Sequence, residues 1–344
     1  MFRYAKVCAA IGEKAHVGIG RRQCDDRGAT QSAGEHDDGG DQVKALVDVQ
    51  VLETYFPRCQ VHCRRSFNFD DYNGKRTGHE GTELSAQPAG MRNWRYDHIE
   101  YVLRPMKPLL IIKVGNTLPD LVPSIGDFER WIAQAIEDPS MPIQVVDPRG
   151  GDALPRADDI AGAVVTGSHA MVTERREWSE RTALWLAGVV AQDVPLLGIC
   201  YGHQLLAHAL GGEVNFLPGG IEIGTTTIHH TDDAANDDLL GDLPRQFAAH
   251  TVHAQSVLRL PPHAVLLAHN DVEPHHAFRV GACAWGVQFH PEFGSAAMRA
   301  YVRHLDADVQ RQGGDVDALI GKVRETPVSA SVLRRFGQIV RQRC

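Results

Sequence analysis

The feature that most constrains the fold is an apolar run that ends in a cysteine between two glycines. Cys200 follows the run Pro195–Ile199, and glycines stand two positions before it, at Gly198, and two positions after it, at Gly202. Glycines at these positions allow a sharp turn from a strand into a helix, the geometry that raises the serine of G-x-S-x-G enzymes above their sheet. The pattern predicts a buried strand over Leu196–Cys200 that leads directly into a helix.

The cysteine at this turn is a candidate nucleophile. Cys200 would stand beside a helix N-terminus, where unpaired N–H groups and the helix dipole favour the thiolate over the thiol. The alternative is a buried structural cysteine, because free cysteine is among the most buried residue types. The strain of a strand-to-helix elbow favours the nucleophile, since strained residues cluster at functional sites.

A second motif supplies the other groups that a thiol nucleophile needs. Trp285–Phe289 is a short apolar run, and His290 and Glu292 follow it. A nucleophile needs a base within hydrogen-bond reach, and the base needs a third group that fixes its tautomer. His-Pro-Glu is a weak signal in a chain with 18 histidines, and it gains weight from its pairing with the glycine-flanked cysteine. We therefore predict a triad of Cys200, His290 and Glu292.

Together the two motifs resemble those of a known family. G-I-C-Y-G-H-Q at 198–204 and G-V-Q-F-H-P-E at 286–292 are similar to motifs of the class I (triad-type) glutamine amidotransferases, especially the glutaminase domain of GMP synthase and its stand-alone relatives. The resemblance covers Pro108 to about Asp306. It implies a flavodoxin-like α/β fold, with a mostly parallel sheet flanked by helices and a β-rich C-terminal half.

The resemblance also implies a role for each of the motif residues. Cys200 would attack the carboxamide carbon of glutamine and form a γ-glutamyl thioester. His290, oriented by Glu292, would protonate the departing ammonia and then activate water. The backbone N–H groups of Tyr201 and Gly167 would form the oxyanion hole, in which losing one donor typically costs about a hundred- to a thousandfold in rate.

The same resemblance implies a glutamine pocket that includes Gln204, Val252 and His253. The segment V-H-A-Q at 252–255 occupies the place of the family's S-H-G-D, which contacts the amino-acid end of the substrate. Backbone contacts survive these replacements, whereas contacts of the replaced side chains do not. The oxyanion loop also departs from the family pattern, with T-G-S at 166–168 where many relatives have G-G-P-G-S.

Hydrophobic periodicity independently predicts alternating strands and helices. The predicted strands are Leu109–Val114, Ile143–Val146, Ala161–Val165, Leu196–Cys200, Glu213–Phe216, Ile221–His229, Val265–Ala268, His276–Val280 and Trp285–Phe289. The predicted helices are Asp127–Ile136 with Asp127 as N-cap, Ser179–Val190, and Ser295 to about Val309. Alternating strands and helices indicate an α/β parallel sheet whose site lies at the carboxyl ends of the strands.

Composition excludes several functional classes. A net charge of −8 argues against nucleic-acid binding, which favours a basic patch. No apolar run approaches the roughly eighteen residues that a membrane span requires. The seven cysteines are irregularly spaced and predict no disulfide framework, which points to the cytoplasm. We predict no metal site, because neighbouring histidines such as His229 and His230 point to opposite faces of a strand, and amide cleavage by a thiol needs no cofactor.

The sequence divides into three parts. Residues 1–105 carry no core-forming pattern, and we expect a poorly ordered extension or a mis-assigned start, with a small accessory domain as the alternative. Residues 106–311 form the predicted amidotransferase domain. Residues 312–344 contain a polar link and then a helix near Ser331–Val340, which we expect to dock on that domain.

Three functions remain open at this point. The first is a glutaminase that releases ammonia for a separate synthase subunit, because this chain contains no G-x-x-x-x-G-K-[ST] phosphate loop. The second is a stand-alone hydrolase of γ-glutamyl amides that uses the same thioester chemistry. The third is a non-catalytic binding or regulatory protein of the same fold, against which the complete triad argues. The expected ligand is thus glutamine or a γ-glutamyl compound.

Overall fold

The computed structural model describes the backbone of residues 59–63 and 101–343, with side chains for residues 106–343. The chain divides into two compact units, Met1–Pro105 and Met106–Cys344. In the first unit, strand β1 (Cys59–Cys63) pairs antiparallel with strand β2 (Tyr101–Pro105). The expectation of poor order over residues 1–105 otherwise lies outside the described residues.

The second unit is built around a sheet of nine strands. In spatial order they are β4 (Ile143–Val146), β3 (Leu109–Ile112), β5 (Gly162–Val165), β6 (Leu196–Ile199), β13 (Ala284–Val287), β12 (Ala277–Val280), β11 (Val265–His269), β8 (Glu222–His230) and β9 (Gln246–His253). The first five run parallel, and the last four continue the sheet antiparallel. A separate antiparallel pair consists of β7 (Glu213–Phe216) and β10 (Gln255–Arg259).

Eight α-helices are described in the second unit. They are α1 (Val122–Ile125), α2 (Phe128–Ile136), α3 (Glu177–Val190), α4 (Tyr201–Ala209), α5 (Ser295–His304), α6 (Asp306–Arg311), α7 (Val316–Lys322) and α8 (Pro327–Arg343). None of these described helices is long and apolar enough to cross a membrane.

The parallel strands are buried on both faces of the sheet. In β3, Leu109 and Ile111 pack into one core with residues of α2 and α8, whereas Leu110 and Ile112 pack into another with residues of α3 and α4. All four side chains are fully buried. Continuous apolar runs are typical of parallel strands covered by helices on both sides. The predicted fold class is confirmed.

The predicted strands all exist, with ends shifted by at most two residues. In the second unit, two further strands, β9 and β10, were not predicted. The reason in β9 is that Ala249, His250 and Thr251 are buried in succession, so the apolar and polar residues do not alternate. Periodicity therefore gives no strand signal there.

The C-terminal third contains two errors of prediction. The single helix predicted from Ser295 to about Val309 is two helices, because Leu305 leaves the helical conformation at φ −99° and ψ 21°. The segment predicted as a polar link contains α7, whose N-cap Asp315 accepts a hydrogen bond from the backbone N–H of Ala318. The last helix, α8, begins at Pro327, four residues before the predicted start at Ser331.

Helix α8 packs closely against the domain. Its side chains Val332, Leu333 and Phe336 are fully buried in the core that also contains α2. A Cβ on Gly337 would lie 2.8 Å from the side chain of Ile136, so the two helices approach at a distance that only glycine permits.

Asp127 connects α2 to the chain that follows β3. As predicted, it is the N-cap of this helix, and its Oδ1 accepts hydrogen bonds from the backbone N–H groups of Phe128 at 2.8 Å and Thr117 at 2.7 Å. Its Oδ2 accepts from Lys113 Nζ at 2.9 Å and Asn116 Nδ2 at 2.7 Å. Burial tends to raise the pKa of Asp127, but these hydrogen bonds outweigh burial and lower it.

We predict that Asp127→Asn lowers the free energy of unfolding by roughly 2–4 kcal/mol at neutral pH. All four contacts are donors, so the amide NH2 of asparagine would face donors. Because the pKa of the native carboxyl is lowered, its stabilisation is present above its unfolded pKa of about 3.9 and is lost as the pH falls through the folded pKa.

Urea unfolding of both proteins from pH 7 to pH 3 measures this effect, and the difference should shrink in acid. The exposed Asp120 has no comparable contacts among the described residues, so Asp120→Asn is the control. The prediction would be contradicted if Asp127→Asn lowered the free energy of unfolding by the same amount as Asp120→Asn, or by an amount that did not change with pH.

Candidate active site

Cys200 occupies a strained backbone position between β6 and α4. Its φ is 51° and its ψ is −101°, a combination that non-glycine residues rarely adopt. The position is held by the parallel sheet, because the Cys200 N–H donates to the carbonyl of Val287 in β13 at 2.9 Å. Such strain persists only where the surroundings impose it, and it clusters at functional sites.

The flanking glycines have a different role from the one the sequence suggested. A Cβ on Gly198 would lie 2.4 Å from the carbonyl oxygen of Gly202, and a Cβ on Gly202 would lie 2.6 Å from that of Val165. The positive φ of the turn belongs to Cys200 itself. The glycines are therefore required for the close approach of α4 to β5 and β6, and the cysteine makes the turn.

His290 reaches the same edge of the sheet from the neighbouring strand. Strands β6 and β13 are parallel, with Ile199 opposite Val287, so the chain leaves both at the same edge. The His290 N–H donates to the carbonyl of His250 at 2.8 Å. The His290 ring stacks on Phe293 with a centroid distance of 4.1 Å. Backbone and ring are therefore both fixed.

The imidazole of His290 is paired with a buried carboxylate. Its Nδ1 lies 2.8 Å from Glu292 Oε1, and His290 is 2% exposed. Burial alone lowers the pKa of the imidazole, but the charge of Glu292 and of a thiolate at Cys200 outweighs burial and raises the pKa of His290 to about 10. The ring therefore carries a proton that it can transfer from Nε2.

Gly167 joins the nucleophile and the histidine. A Cβ on Gly167 would lie 3.1 Å from His290 Cε1 and 3.8 Å from Cys200 Cβ, so all three residues converge. The preceding Thr166, which sequence reasoning did not single out, fixes this loop. Its buried Oγ1 accepts from the N–H of Val114 at 3.0 Å and donates to the Gly167 carbonyl at 3.0 Å.

Tyr201 contributes to this region through its backbone. As the first residue of α4, it has an N–H group without an acceptor inside the helix. Its side chain points elsewhere, because the hydroxyl lies 2.6 Å from Ser179 Oγ, and burial raises the pKa of Tyr201 to about 12. The predicted oxyanion residues, Tyr201 and Gly167, thus both lie beside Cys200.

A cavity of about 400 Å3 opens beside Cys200. Its lining includes most of the residues predicted for the site, namely Cys200, His290, Tyr201, Gln204, Val252 and His253. The structure therefore brings the nucleophile, the histidine and the predicted pocket residues to one cavity, which is the usual form of a small-molecule site.

One wall of the cavity, which we call the acyl wall, consists of Gln204 and the segment 252–255. The carbonyl oxygen of Val252 lies 3.7 Å from Cys200 Sγ. Gln204 Nε2 donates to the carbonyl of Gln255 at 2.7 Å. His253 uses both ring nitrogens within the protein, toward the carbonyl of Gln255 at 2.9 Å and Glu222 Oε2 at 2.8 Å. A direct side-chain hydrogen bond from His253 to a ligand is therefore not supported.

Another part of the lining was missed by sequence reasoning. It consists of His169, Tyr301, His304 and Asp308, and we call it the amine wall. The Tyr301 hydroxyl lies 3.2 Å from Thr117 Oγ1 and 3.1 Å from His169 Nε2, and burial raises the pKa of Tyr301. The spacing of Tyr301, His304 and Asp308 was the available signal, since residues three and seven apart share a helix face.

The other histidines in the described part of the chain form no metal centre. Within the described residues, no group of three or more His, Cys, Asp or Glu side chains is arranged to hold a metal ion. His203 is fully buried against Phe278, with a ring centroid distance of 4.9 Å, and does not line the cavity. Burial lowers the pKa of His203 well below its ordinary value.

Comparison with known proteins agrees with this geometry. The family description "Glutamine amidotransferase class-I" matches residues 123–305. A GMP synthase (glutamine-hydrolysing) of Aeropyrum pernix is 37% identical over 171 residues, which is 48% of this chain and 31% of that protein. One subunit of the glutamine-hydrolysing GMP synthase of Ignicoccus hospitalis is 43% identical over 99 residues, 28% of this chain and 50% of that protein. The matched region thus spans half or less of these relatives.

Solved structures share the fold. A glutamine amidotransferase of Thermotoga maritima superposes with a TM-score of 0.55 at 20% identity, covering 67% of this chain and 97% of that protein. A glutamine amidotransferase of Methylobacillus flagellatus superposes with a TM-score of 0.50 at 24% identity, covering 69% of this chain and 94% of that protein. Because the family description matches more than half of the chain, this protein belongs to the class I glutamine amidotransferases.

Proposed function

We propose that this protein hydrolyses the side-chain amide of glutamine through a thioester on Cys200 and releases ammonia for a separate acceptor. The observation that carries the proposal is the convergence of the strained cysteine, the His290–Glu292 pair and the Gly167 loop at one cavity. Membership of the amidotransferase family supports the same chemistry.

The proposed reaction has two halves. The Cys200 thiolate attacks the carboxamide carbon, and the carbon–nitrogen bond breaks as His290 gives its Nε2 proton to the departing ammonia. The neutral imidazole then takes a proton from water, and the hydroxide attacks the thioester. The carbon–sulfur bond breaks, and glutamate leaves with the thiolate restored. Glu292 keeps the ring oriented throughout and stabilises its charged form.

The oxyanion of both tetrahedral intermediates would be stabilised by backbone donors. Tyr201 and Gly167 both lie beside Cys200, and we propose their backbone N–H groups as these donors. Preorganised donors of this kind are often the largest single contribution to catalysis. The two hydrogen bonds of Thr166 Oγ1 support this role, because they fix the loop 166–168, which lacks the proline found in many relatives.

The acceptor of ammonia is proposed to belong to another protein. One relative of this chain is named as one subunit of a glutamine-hydrolysing GMP synthase, so the division of such an enzyme between separate chains has a precedent among the relatives. We propose that this chain likewise works with a synthase partner.

We predict that Cys200→Ala lowers ammonia release from glutamine by at least about a thousandfold, because the thioester cannot form. The measurement is ammonia release from the full chain, with and without ATP and cell extract. Cys283→Ala is the matched control, since Cys283 is also a buried free thiol but lies outside the cavity lining. Equal turnover by the two variants would refute the assignment of the nucleophile.

We predict that Glu292→Gln moves the alkaline limb of kcat/KM to lower pH by roughly 1–3 units. The charge of Glu292 helps to raise the pKa of His290 to about 10, so its removal lets the imidazolium lose its proton at lower pH. The pH profile of ammonia release measures the shift, because kcat/KM reports ionisations of the free enzyme. An unchanged alkaline limb, with only a uniform loss of rate, would show that Glu292 does not set this ionisation.

A second candidate function is the hydrolysis of larger γ-glutamyl amides. The observation that favours it is the amine wall. It adjoins His290 through the stack of His290 on Phe293 and the contact of Phe293 with Tyr301, with centroid distances of 4.1 and 5.1 Å. A leaving group protonated by His290 would lie on this side. The lining residues include the carboxylate Asp308, which also pairs with Arg311 outside the lining, and neither lysine nor arginine. A carboxylate here favours amines that carry a second, cationic group able to share it.

If this second function is correct, Asp308→Asn should lower kcat/KM for a γ-glutamyl amide with a terminal ammonium by roughly two- to fivefold, the size expected for a partly exposed charge pair. The neutral alkyl amide of equal length and glutamine should be unaffected. Asp306→Asn is the control variant, because Asp306 lies two positions away and does not line the cavity. Equal effects on charged and neutral amides would exclude the charge preference.

A further inference from the structure

A buried ionic network lies directly behind the acyl wall. Glu222 begins β8 and is paired across the sheet with His253 at the end of β9. Glu222 Oε2 lies 2.8 Å from His253 Nε2 and 3.3 Å from His276 Nε2, and Glu222 Oε1 accepts from Asn270 Nδ2 at 2.6 Å. The side chains of Glu222, His253 and His276 are 8%, 1% and 0% exposed.

The contacts of His253 hold its ring on both sides. One ring nitrogen faces the carboxylate of Glu222 and the other faces the carbonyl oxygen of Gln255. Both partners are acceptors, so each ring nitrogen is directed at an acceptor of the protein. Glu273 Oε2 lies 4.0 Å from His253 Nδ1 and adds a second carboxylate to this buried pair.

A contribution to folding stability does not explain why Glu222 and His253 are buried together. Desolvation of buried charge is costly, and replacing a buried ion pair with apolar residues is often neutral or stabilising. The more informative fact is what the pair holds. The carbonyl of Gln255 accepts from His253 and also from Gln204 Nε2, at 2.9 and 2.7 Å. The carbonyl of Val252, at the other end of the segment, contacts Cys200 Sγ.

We propose that Glu222 is a positioning residue for substrate binding. It holds His253 through Nε2, and His253 contacts the Gln255 carbonyl that, together with Gln288 Oε1, orients Gln204 in the cavity. Glu222 thus shapes the acyl wall without touching the substrate. The kinetic part of this inference rests on the proposed function, whereas the structural part does not.

The substitution Glu222→Gln removes the charge of the side chain and keeps its size. The amide replaces a charged acceptor of His253 with a neutral one, so the hydrogen bond that holds the ring weakens. We expect KM for glutamine to rise at least fivefold while kcat changes less than KM. The rate at which iodoacetamide alkylates Cys200 should stay within twofold of the wild-type rate, because this small reagent does not have to bind to the acyl wall. Glu222→Asp retains the charge and should retain most of the affinity.

The control is a second buried carboxylate away from the cavity. Asp237 pairs with Arg279 at 2.9 Å, accepts from Trp285 Nε1 at 3.0 Å, and has a fully buried side chain. Asp237→Asn should lower the melting temperature as a structural substitution would, but leave KM unchanged. Equal increases in KM for Glu222→Gln and Asp237→Asn would overturn the positioning role. So would a Glu222→Gln variant that has a lower kcat and a lower rate of Cys200 alkylation but an unchanged KM.

A readout without turnover keeps this test separate from the proposed function. Hydrogen–deuterium exchange should be faster in a peptide that covers 252–255 for Glu222→Gln, and unchanged there for Asp237→Asn. Unchanged exchange in Glu222→Gln overturns the structural part of the inference. If the wild-type protein cleaves neither glutamine nor γ-glutamyl amides while this exchange difference is observed, the proposed function fails and the positioning of the segment stands.

Discussion

The site depends on the close approach of three backbones around a single strained residue. Strands β5 and β6 and the first turn of α4 approach so closely that any Cβ at Gly198 or Gly202 would collide with a carbonyl group. This packing imposes a positive φ on Cys200, and the parallel pairing of β6 with β13 brings His290 to the same edge. The positions of the sulfur and the imidazole are thus determined by the most buried part of the sheet, where movement costs the most.

Two buried carboxylate–histidine pairs lie near the cysteine, and their contacts differ. In the first, the charge of Glu292 helps to raise the pKa of His290. In the second, both ring nitrogens of His253 face acceptors of the protein, the carboxylate of Glu222 and the carbonyl of Gln255. Under the proposed function, the first pair serves proton transfer and the second serves geometry, and the contacts of the two ring nitrogens distinguish these roles.

The sequence was sufficient where local pattern determines structure. Apolar runs located the parallel strands, and the N-cap Asp127 located α2, because these signals lie within a few residues of each other. It was insufficient where the outcome depends on register or on a helix break. The Glu222–His253 pair joins residues 31 positions apart through the register of β8 and β9, and β9 itself lacks alternation. The break at Leu305 between α5 and α6 is likewise not revealed by the periodicity of the segment.

The two walls of the cavity originate from different parts of the fold, which has a consequence for specificity. The acyl wall belongs to the antiparallel half of the sheet and to α4, and it is tied to Cys200 and to a buried charge. The amine wall comes mainly from α5 and α6, which follow His290 and Glu292 in the chain, and of its residues His304 is exposed and Asp308 is partly buried. Under the proposed hydrolysis of γ-glutamyl amides, substitutions in the amine wall alter the leaving group that is accepted, while Cys200 and His290 stay in place. Substitutions behind the acyl wall disturb a buried network, so under the same proposal their effects reach the binding of every γ-glutamyl substrate.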